Sequence, residues 1–186
     1  MGRVLMGVML GFLLMPVALL GWLHFGSPPV AVADPPFFQE RLLTGIPLQA
    51  RINREMVKSP VIQPDEGGLV AGARIYSDKC AVCHGFHGKP SVIGEHIFPA
   101  APPLWEKHRY NAAIGVSGAP PGEIYWKVAN GIRLTGMPAF KGVLMDTEIW
   151  QVRLLLANAD KPLPPAAVDI LRGEPAAMMM EGPEMK

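Results

Sequence analysis

The sequence predicts an all-α protein, and three observations support this fold class. Near the amino end, Val4 to Leu23 form a long apolar segment without charged residues, and two later segments, 69–80 and 146–158, carry apolar residues at helical spacing. The 20 prolines and 20 glycines gather outside these candidate helices, as expected of the loops between them. A chain of 186 residues is long enough for about one such domain with additional segments.

The first segment, Val4 to Leu23, is long enough for one helix that crosses a bilayer. Arg3 precedes it and the next charged residue is Asp34, so the positive-inside tendency predicts a cytoplasmic amino end and an exported remainder. We therefore assign residues 1–25 to an N-terminal transmembrane anchor. The alternative is a signal peptide cleaved after Ala33, but the apolar segment is longer than such peptides usually carry. Both alternatives place the later residues outside the cytoplasm.

Residues 26–68 are rich in proline and predict a stalk with one short helix near Gln49 to Met56. A plain spacer is the simplest interpretation of this segment. A second interpretation is that its apolar residues dock on a partner or on the following domain. We call these residues the apolar stripe: Phe37, Phe38, Leu42, Leu43 and Ile46.

A helix over 69–80 would begin after acidic residues and end at the sequence Cys80-Ala81-Val82-Cys83-His84. On one turn of helix the two thiols and the imidazole share a face. Thiols in this spacing can add across the vinyl groups of a porphyrin, and the imidazole can bind its iron, so the motif predicts one covalent haem c. A zinc site or a dithiol redox motif is disfavoured, because the chain has only two cysteines and no βαβ pattern surrounds them.

Electron-transfer haem iron needs a sixth ligand, and a methionine thioether is the uncharged choice that raises the reduction potential. Of the 11 methionines, all but Met137 and Met145 lie in the anchor, the stalk or the carboxy-terminal tail. Met137 stands in a glycine-proline loop that can lay an extended backbone against a ligand, whereas Met145 precedes a helix and is expected in the core. We therefore predict Met137 as the ligand. Three histidines are treated as surface residues: His87, His96 and His108.

A short helix over 123–128 separates the two ligands in sequence, and Tyr125 or Trp126 on it would cover the porphyrin or donate to a propionate. Further candidates for propionate contact are Lys107, Arg109 and Tyr110. Asp146 as N-cap predicts a helix through Asn158, and 164–172 predicts one more, ended by a glycine. Residues 161–186 form a tail rich in proline and methionine.

The haem motif, the Gly136-Met137-Pro138 loop and the closing helix, in this order, resemble a class I monohaem cytochrome c over about half of the chain. The resemblance implies a small all-helical domain at residues 69–160 around one haem, with thioethers at Cys80 and Cys83 and axial ligands His84 and Met137. It also implies that Pro103 and Leu104 belong to a loop whose backbone carbonyl orients the imidazole. The first and last helices would cross near Gly72 and Tyr76, with Trp150 and Leu154 packed there.

The predicted function is one-electron transfer by a membrane-tethered carrier on the periplasmic face of a bacterial cytoplasmic membrane. Its partners would be redox proteins, such as a dehydrogenase, an oxidase or a membrane oxidoreductase complex. The 17 basic and 16 acidic side chains give no field that would attract nucleic acid. One alternative is a fixed subunit of a membrane oxidoreductase, and another is a haem enzyme that acts on peroxide or a small gas. If the leader is cleaved, the protein is soluble in the periplasm.

Overall fold

The structure, a computed structural model, describes residues 1–58, 62, 64–107 and 113–173. These residues form eight α-helices and no β-strand, which confirms the all-α fold class. The helices are α1 (Gly2–Phe25), α2 (Glu40–Glu55), α3 (Glu66–Lys79), α4 (Ala81–His84), α5 (Val92–Glu95), α6 (Pro121–Asn130), α7 (Asp146–Ala157) and α8 (Pro165–Leu171). The chain divides into two compact units, Met1–Glu40 and Arg41–Lys186.

The first unit contains α1, which is two residues longer at each end than the apolar segment predicted. None of its residues is buried, and among the described residues it is the one helix long and apolar enough to cross a membrane. Pro16 lies inside the helix. Near its carboxy end, the ring of Trp22 lies 6.5 Å from the ring of Phe37, measured between centroids. The chain after α1 therefore returns to the end of that helix.

Helix α2 starts at Glu40, nine residues before the predicted start. Its first turn is closed by the Phe37 amide, which donates to Glu40 Oε2 at 2.8 Å, and by the Glu40 amide, which donates to the Phe37 carbonyl at 3.0 Å. Pro47 lies inside the helix and removes one backbone donor, which is why the sequence pattern pointed to a later start. All five residues of the apolar stripe are exposed.

From Arg41 onward α2 belongs to the second unit, and within this unit its carboxy end packs against α6. Ile52 is fully buried, and the indole Nε1–H of Trp126 donates to Glu55 Oε2 at 2.9 Å. The guanidinium of Arg51 lies 5.9 Å from the centre of the Trp126 ring and forms an ion pair with Glu55 at 2.9 Å. The last turns of α2 are thus part of a packed domain, although the sequence alone indicated a spacer.

The centre of the second unit is the crossing of α3 over α7. Asp65 caps α3 by accepting from the Gly68 amide at 2.6 Å, and a Cβ at Gly72 would collide with the carbonyl oxygen of Gln151. Glycine is therefore needed where the two helices touch, as predicted. Tyr76 is fully buried beside this contact and donates to the Gly85 carbonyl at 2.7 Å, and burial raises the pKa of its phenol.

Helix α7 differs from expectation in two details. Its N-cap is Met145, whose amide donates to Glu148 Oε2 at 2.7 Å, so Asp146 is the first helical residue. Met145 is 66% exposed and is not a core residue, because the capping position holds it outside the helix packing. The residues that α7 brings to the crossing also differ from those expected. Trp150 stacks on Tyr125 with ring centroids 4.5 Å apart, and Leu154 contacts Gly68. The α7 residues that contact Gly72 are Gln151 and Leu155.

The contact at Gly72 predicts that Gly72→Ala lowers the free energy of unfolding by about 1–3 kcal/mol, because the added methyl group must push α7 away from α3. The control is Gly45→Ala in α2, where a Cβ would meet no atom within 4 Å and helix propensity alone predicts a neutral or slightly stabilising change. Guanidinium unfolding of the haem-loaded protein, followed by helical circular dichroism, measures both. Equal stability of the two variants would contradict the close crossing.

Candidate functional site

The two cysteines and the histidine of the motif lie on a single helical turn. Cys80 caps α4, and its carbonyl accepts from the Cys83 amide at 3.1 Å and from the His84 amide at 2.9 Å. Because α3 ends directly before this turn, its packing against α7 fixes where the turn lies. All three side chains line one cavity.

The imidazole of His84 is held by a backbone carbonyl. Its Nδ1 lies 2.8 Å from the Pro102 oxygen, so Nδ1–H donates there and Nε2 keeps a free lone pair. Burial lowers the pKa of the His84 imidazole, although the bond to Pro102 acts in the opposite direction. Both the tautomer and the neutral charge state are those that bind a metal through Nε2.

The cavity beside this histidine has a volume of about 260 Å³ and is mainly apolar. Its walls come from five parts of the chain: residues 79–84, the loop 97–104, the segment 116–128 that includes one face of α6, the loop 132–140, and the α7 residues 152 and 156. The charged side chains among them are Lys79, Glu123 and Lys127. The Nζ atom of Lys127 lies 2.6 Å from Glu123 Oε1, so these two charges neutralise each other.

Met137 reaches the same cavity from the loop that follows α6. Gly131 ends the helix with a φ of 66°, and a Cβ there would lie within 2.8 Å of the Met137 carbonyl, so glycine is required. The Thr135 hydroxyl donates to the Ile132 carbonyl at 2.7 Å and accepts from the Met137 amide at 3.1 Å. The loop is thus closed on itself and presents the methionine to the cavity that holds His84.

These residues fit a covalently bound haem. The cavity combines two thiols, an imidazole with a free Nε2, a thioether and an otherwise apolar wall, which are the groups that haem c requires. The other interpretations of the cysteines fit less well. Within the described ranges, no three His, Cys, Asp or Glu residues are grouped as a metal site would need.

A dithiol redox motif would need a thiol with a lowered pKa. Burial, followed by the proximity of Cys83, instead raises the pKa of the Cys80 thiol to about 12. Cys80 is therefore a neutral thiol at physiological pH when it carries no adduct. This property disfavours disulfide exchange as the role of the motif.

Three predicted cofactor contacts do not line the cavity: Pro103, Tyr125 and Trp126. Tyr125 stacks on Trp150 and donates to Asp146 Oδ1 at 2.8 Å, and the Trp126 indole donates to Glu55 of α2.

The face of α6 that lines the cavity consists of Ile124 and Val128, with Glu123 and Lys127. The i, i+4 spacing of these residues was the available signal, but the sequence did not show which face of α6 meets α2. On the histidine side, Leu104 lines the cavity, and the carbonyl that contacts the His84 imidazole is that of Pro102, the residue before Pro103.

The remaining candidates lie elsewhere or outside the described residues. His87 is near Trp105, with ring centroids 6.3 Å apart, and His96 is bound through Nδ1 to the Val92 carbonyl at 2.8 Å. Neither lines the cavity, and Lys107 does not either. Four predicted features fall outside the described residues: His108, Arg109, Tyr110 and the methionine-rich end of the tail.

The comparisons with known proteins agree with this chemistry. A family described as cytochrome c oxidase, cbb3-type, subunit III matches residues 68–154. A thiosulfate dehydrogenase from Stutzerimonas stutzeri (strain A1501) is 29% identical over 114 residues, which cover 59% of this chain and 34% of that protein. The chain thus spans about a third of the relative's length. No solved structure matches.

The geometry predicts that Cys80→Ser with Cys83→Ser abolishes covalent attachment, because no other cysteine exists in the chain. After denaturing electrophoresis, the unaltered protein should keep its haem colour and the double variant should lose it. Each single variant should keep one thioether and part of the colour. Colour that stays with the double variant would contradict attachment at these residues.

Proposed function

We propose that residues 68–154, which match the family of cbb3-type cytochrome c oxidase subunit III, bind one covalent haem c, and that the protein carries single electrons between redox proteins while α1 holds it at a membrane. When bound, haem c supplies a one-electron ferric–ferrous couple. The observation that carries the proposal is the meeting of His84 and Met137, 53 positions apart in sequence, in one apolar cavity.

The residues of the cavity have separate tasks in this proposal. Cys80 and Cys83 would hold the porphyrin, and His84, oriented by the Pro102 carbonyl, would bind the iron through Nε2. Met137 would supply the second protein ligand to the iron, and its uncharged thioether would favour the reduced state. Ile124, Val128 and their apolar neighbours keep water from the ligands, which lowers the reorganisation that each electron transfer requires.

The proposed location is the outer face of a cytoplasmic membrane. The support is the apolar helix α1 at the amino end, together with the export that c-type cytochromes typically undergo. A signal peptide cleaved after Ala33 is the alternative for the same segment. Mass spectrometry of the mature protein distinguishes the two, because an anchored chain retains residues 1–33.

Replacement of the proposed ligand gives the sharpest test. We expect Met137→Ala to abolish the weak red absorption band of methionine-bound ferric haem and to lower the reduction potential by on the order of 100 mV, part of the ~0.8 V range that axial ligands cover. Met145→Ala is the matched control, because Met145 is exposed and lies outside the cavity. A spectrum and potential that Met137→Ala leaves unchanged would refute methionine ligation.

A second candidate function is a fixed subunit of a membrane oxidoreductase, which the match to an oxidase subunit family supports. A subunit should co-purify with larger chains in mild detergent, whereas a carrier should be recovered alone and remain reducible by small donors. The name of the matched dehydrogenase supports a third candidate, an enzyme that oxidises thiosulfate. Reduction of the purified ferric protein by thiosulfate, without any other protein, would favour the enzyme over the carrier.

A further inference from the structure

We propose that the apolar stripe at the start of α2 lies in the lipid surface of the membrane that α1 spans, so that α2 is a rigid arm and not a loose tether. The inference depends on the anchor in the proposed function. It assigns the stripe one partner, the interfacial layer of a phospholipid bilayer. The arm joins this layer to the cytochrome domain through the contacts of Ile52 and Glu55.

The first observation is the exposure of the stripe. Leu42, Leu43 and Ile46 are 52%, 63% and 61% exposed, and Phe38 before them is 78% exposed. On a helix, residues 42, 43 and 46 share one face over two turns. A contiguous apolar face of this kind usually marks an interaction surface.

The second observation is where the stripe begins along the chain. Only residues 26–39 separate α1 from α2, a stretch that could span at most about 50 Å if fully extended. It is not extended, because Phe37 contacts Trp22 in the last turns of α1. Tryptophan near the end of a membrane helix lies at the level of the lipid head groups. Phe37 would therefore lie at that level, and the other residues of the apolar stripe follow it within nine positions of the chain.

The third observation is that α2 has two different faces. Arg51 and Glu55, which contact Trp126, lie with the buried Ile52 on the side of the helix opposite to Leu42 and Ile46. The stripe therefore points away from the domain contact, and both can form together. A helix with one apolar face and arginines elsewhere is the kind that lies flat in a membrane interface.

An arm that lies in the membrane would fix the orientation of the haem cavity. Trp126, which receives the arm, is on α6, and the opposite face of α6 forms a wall of the haem cavity through Ile124 and Val128. An arm held in the membrane at one end and against α6 at the other would keep the cavity at a fixed angle to the bilayer. A flexible stalk would leave that angle free.

The test measures the access of water to single introduced thiols. In the haem-loaded full-length protein Cys80 and Cys83 are consumed by thioether bonds, so a new cysteine is the one free thiol. The variants are Leu43→Cys and Ile46→Cys in the stripe, with Thr44→Cys as the control, because Thr44 is exposed and lies on the opposite side of the same turn. All three are reacted with a charged, membrane-impermeant maleimide in vesicles of phosphatidylcholine and phosphatidylglycerol.

We expect positions 43 and 46 to react roughly tenfold more slowly than position 44, because apolar faces of interfacial helices lie below the head groups. An unchanged haem spectrum verifies the fold of each variant. Equal reaction rates at the three positions overturn the proposal and leave the stripe to a protein partner. Protection that disappears on dilution with lipid also overturns it, because it indicates contact between copies of the chain.

Flotation of the same samples separates this inference from the anchor. If the variants float with the vesicles and the three thiols react equally, the anchor stands and the lipid-bound arm is wrong. If the protein does not float, both are wrong. Polarised absorption in oriented bilayers gives a second readout: the haem band should be dichroic in the unaltered protein and lose its dichroism in the variant Leu42→Glu, Leu43→Glu, Ile46→Glu. Equal dichroism in both would overturn the orienting role.

Discussion

The hydrogen bond between His84 Nδ1 and the Pro102 carbonyl is the interaction on which the site depends. It fixes the tautomer of the imidazole, holds the ring against rotation and leaves the lone pair of Nε2 free to bind a metal. It also joins the loop 97–104 to the turn of α4, and both are walls of the haem cavity. The crossing of α3 over α7 at Gly72 also stabilises this arrangement, because it fixes the carboxy end of α3, and α4 begins directly after that end.

The sequence predicted those parts of the site that local geometry determines. One helical turn is enough to bring Cys80, Cys83 and His84 to one face, and the glycine-proline context of Met137 identified a loop that can approach a ligand. The ends of α3 and α8 could also be predicted, since acidic residues, prolines and glycines influence helix ends within a few positions of themselves. Such features need no knowledge of distant parts of the chain.

The errors arose where a distant contact decides the outcome. Tyr125 and Trp126 were expected at the porphyrin, but which face of α6 meets the cavity depends on α2, and the extent of α2 was hidden by Pro47. Met145 was expected in the core, yet as a helix cap it is exposed. In each case the sequence showed the type of the residue but not the element against which it packs, because burial against a separate element is a tertiary property.

The second unit therefore combines a redox site with a built-in support. Helix α6 has the haem cavity on one side and the end of α2 on the other. The carboxy end of α2, in a segment whose sequence is typical of a spacer, thus contributes to the packing of the wall that holds Ile124 and Val128. A carrier whose ligand loop and support share one helix can keep its ligands in place through both oxidation states, which is what low reorganisation requires.

The central claim is that one histidine and one methionine from distant parts of the chain bind the same iron. Near-infrared magnetic circular dichroism of the ferric protein tests it most directly, since the position of the charge-transfer band depends on the pair of axial ligands. We expect the low-spin signature of histidine with methionine. A bis-histidine signature, or a high-spin iron with one protein ligand, would contradict it.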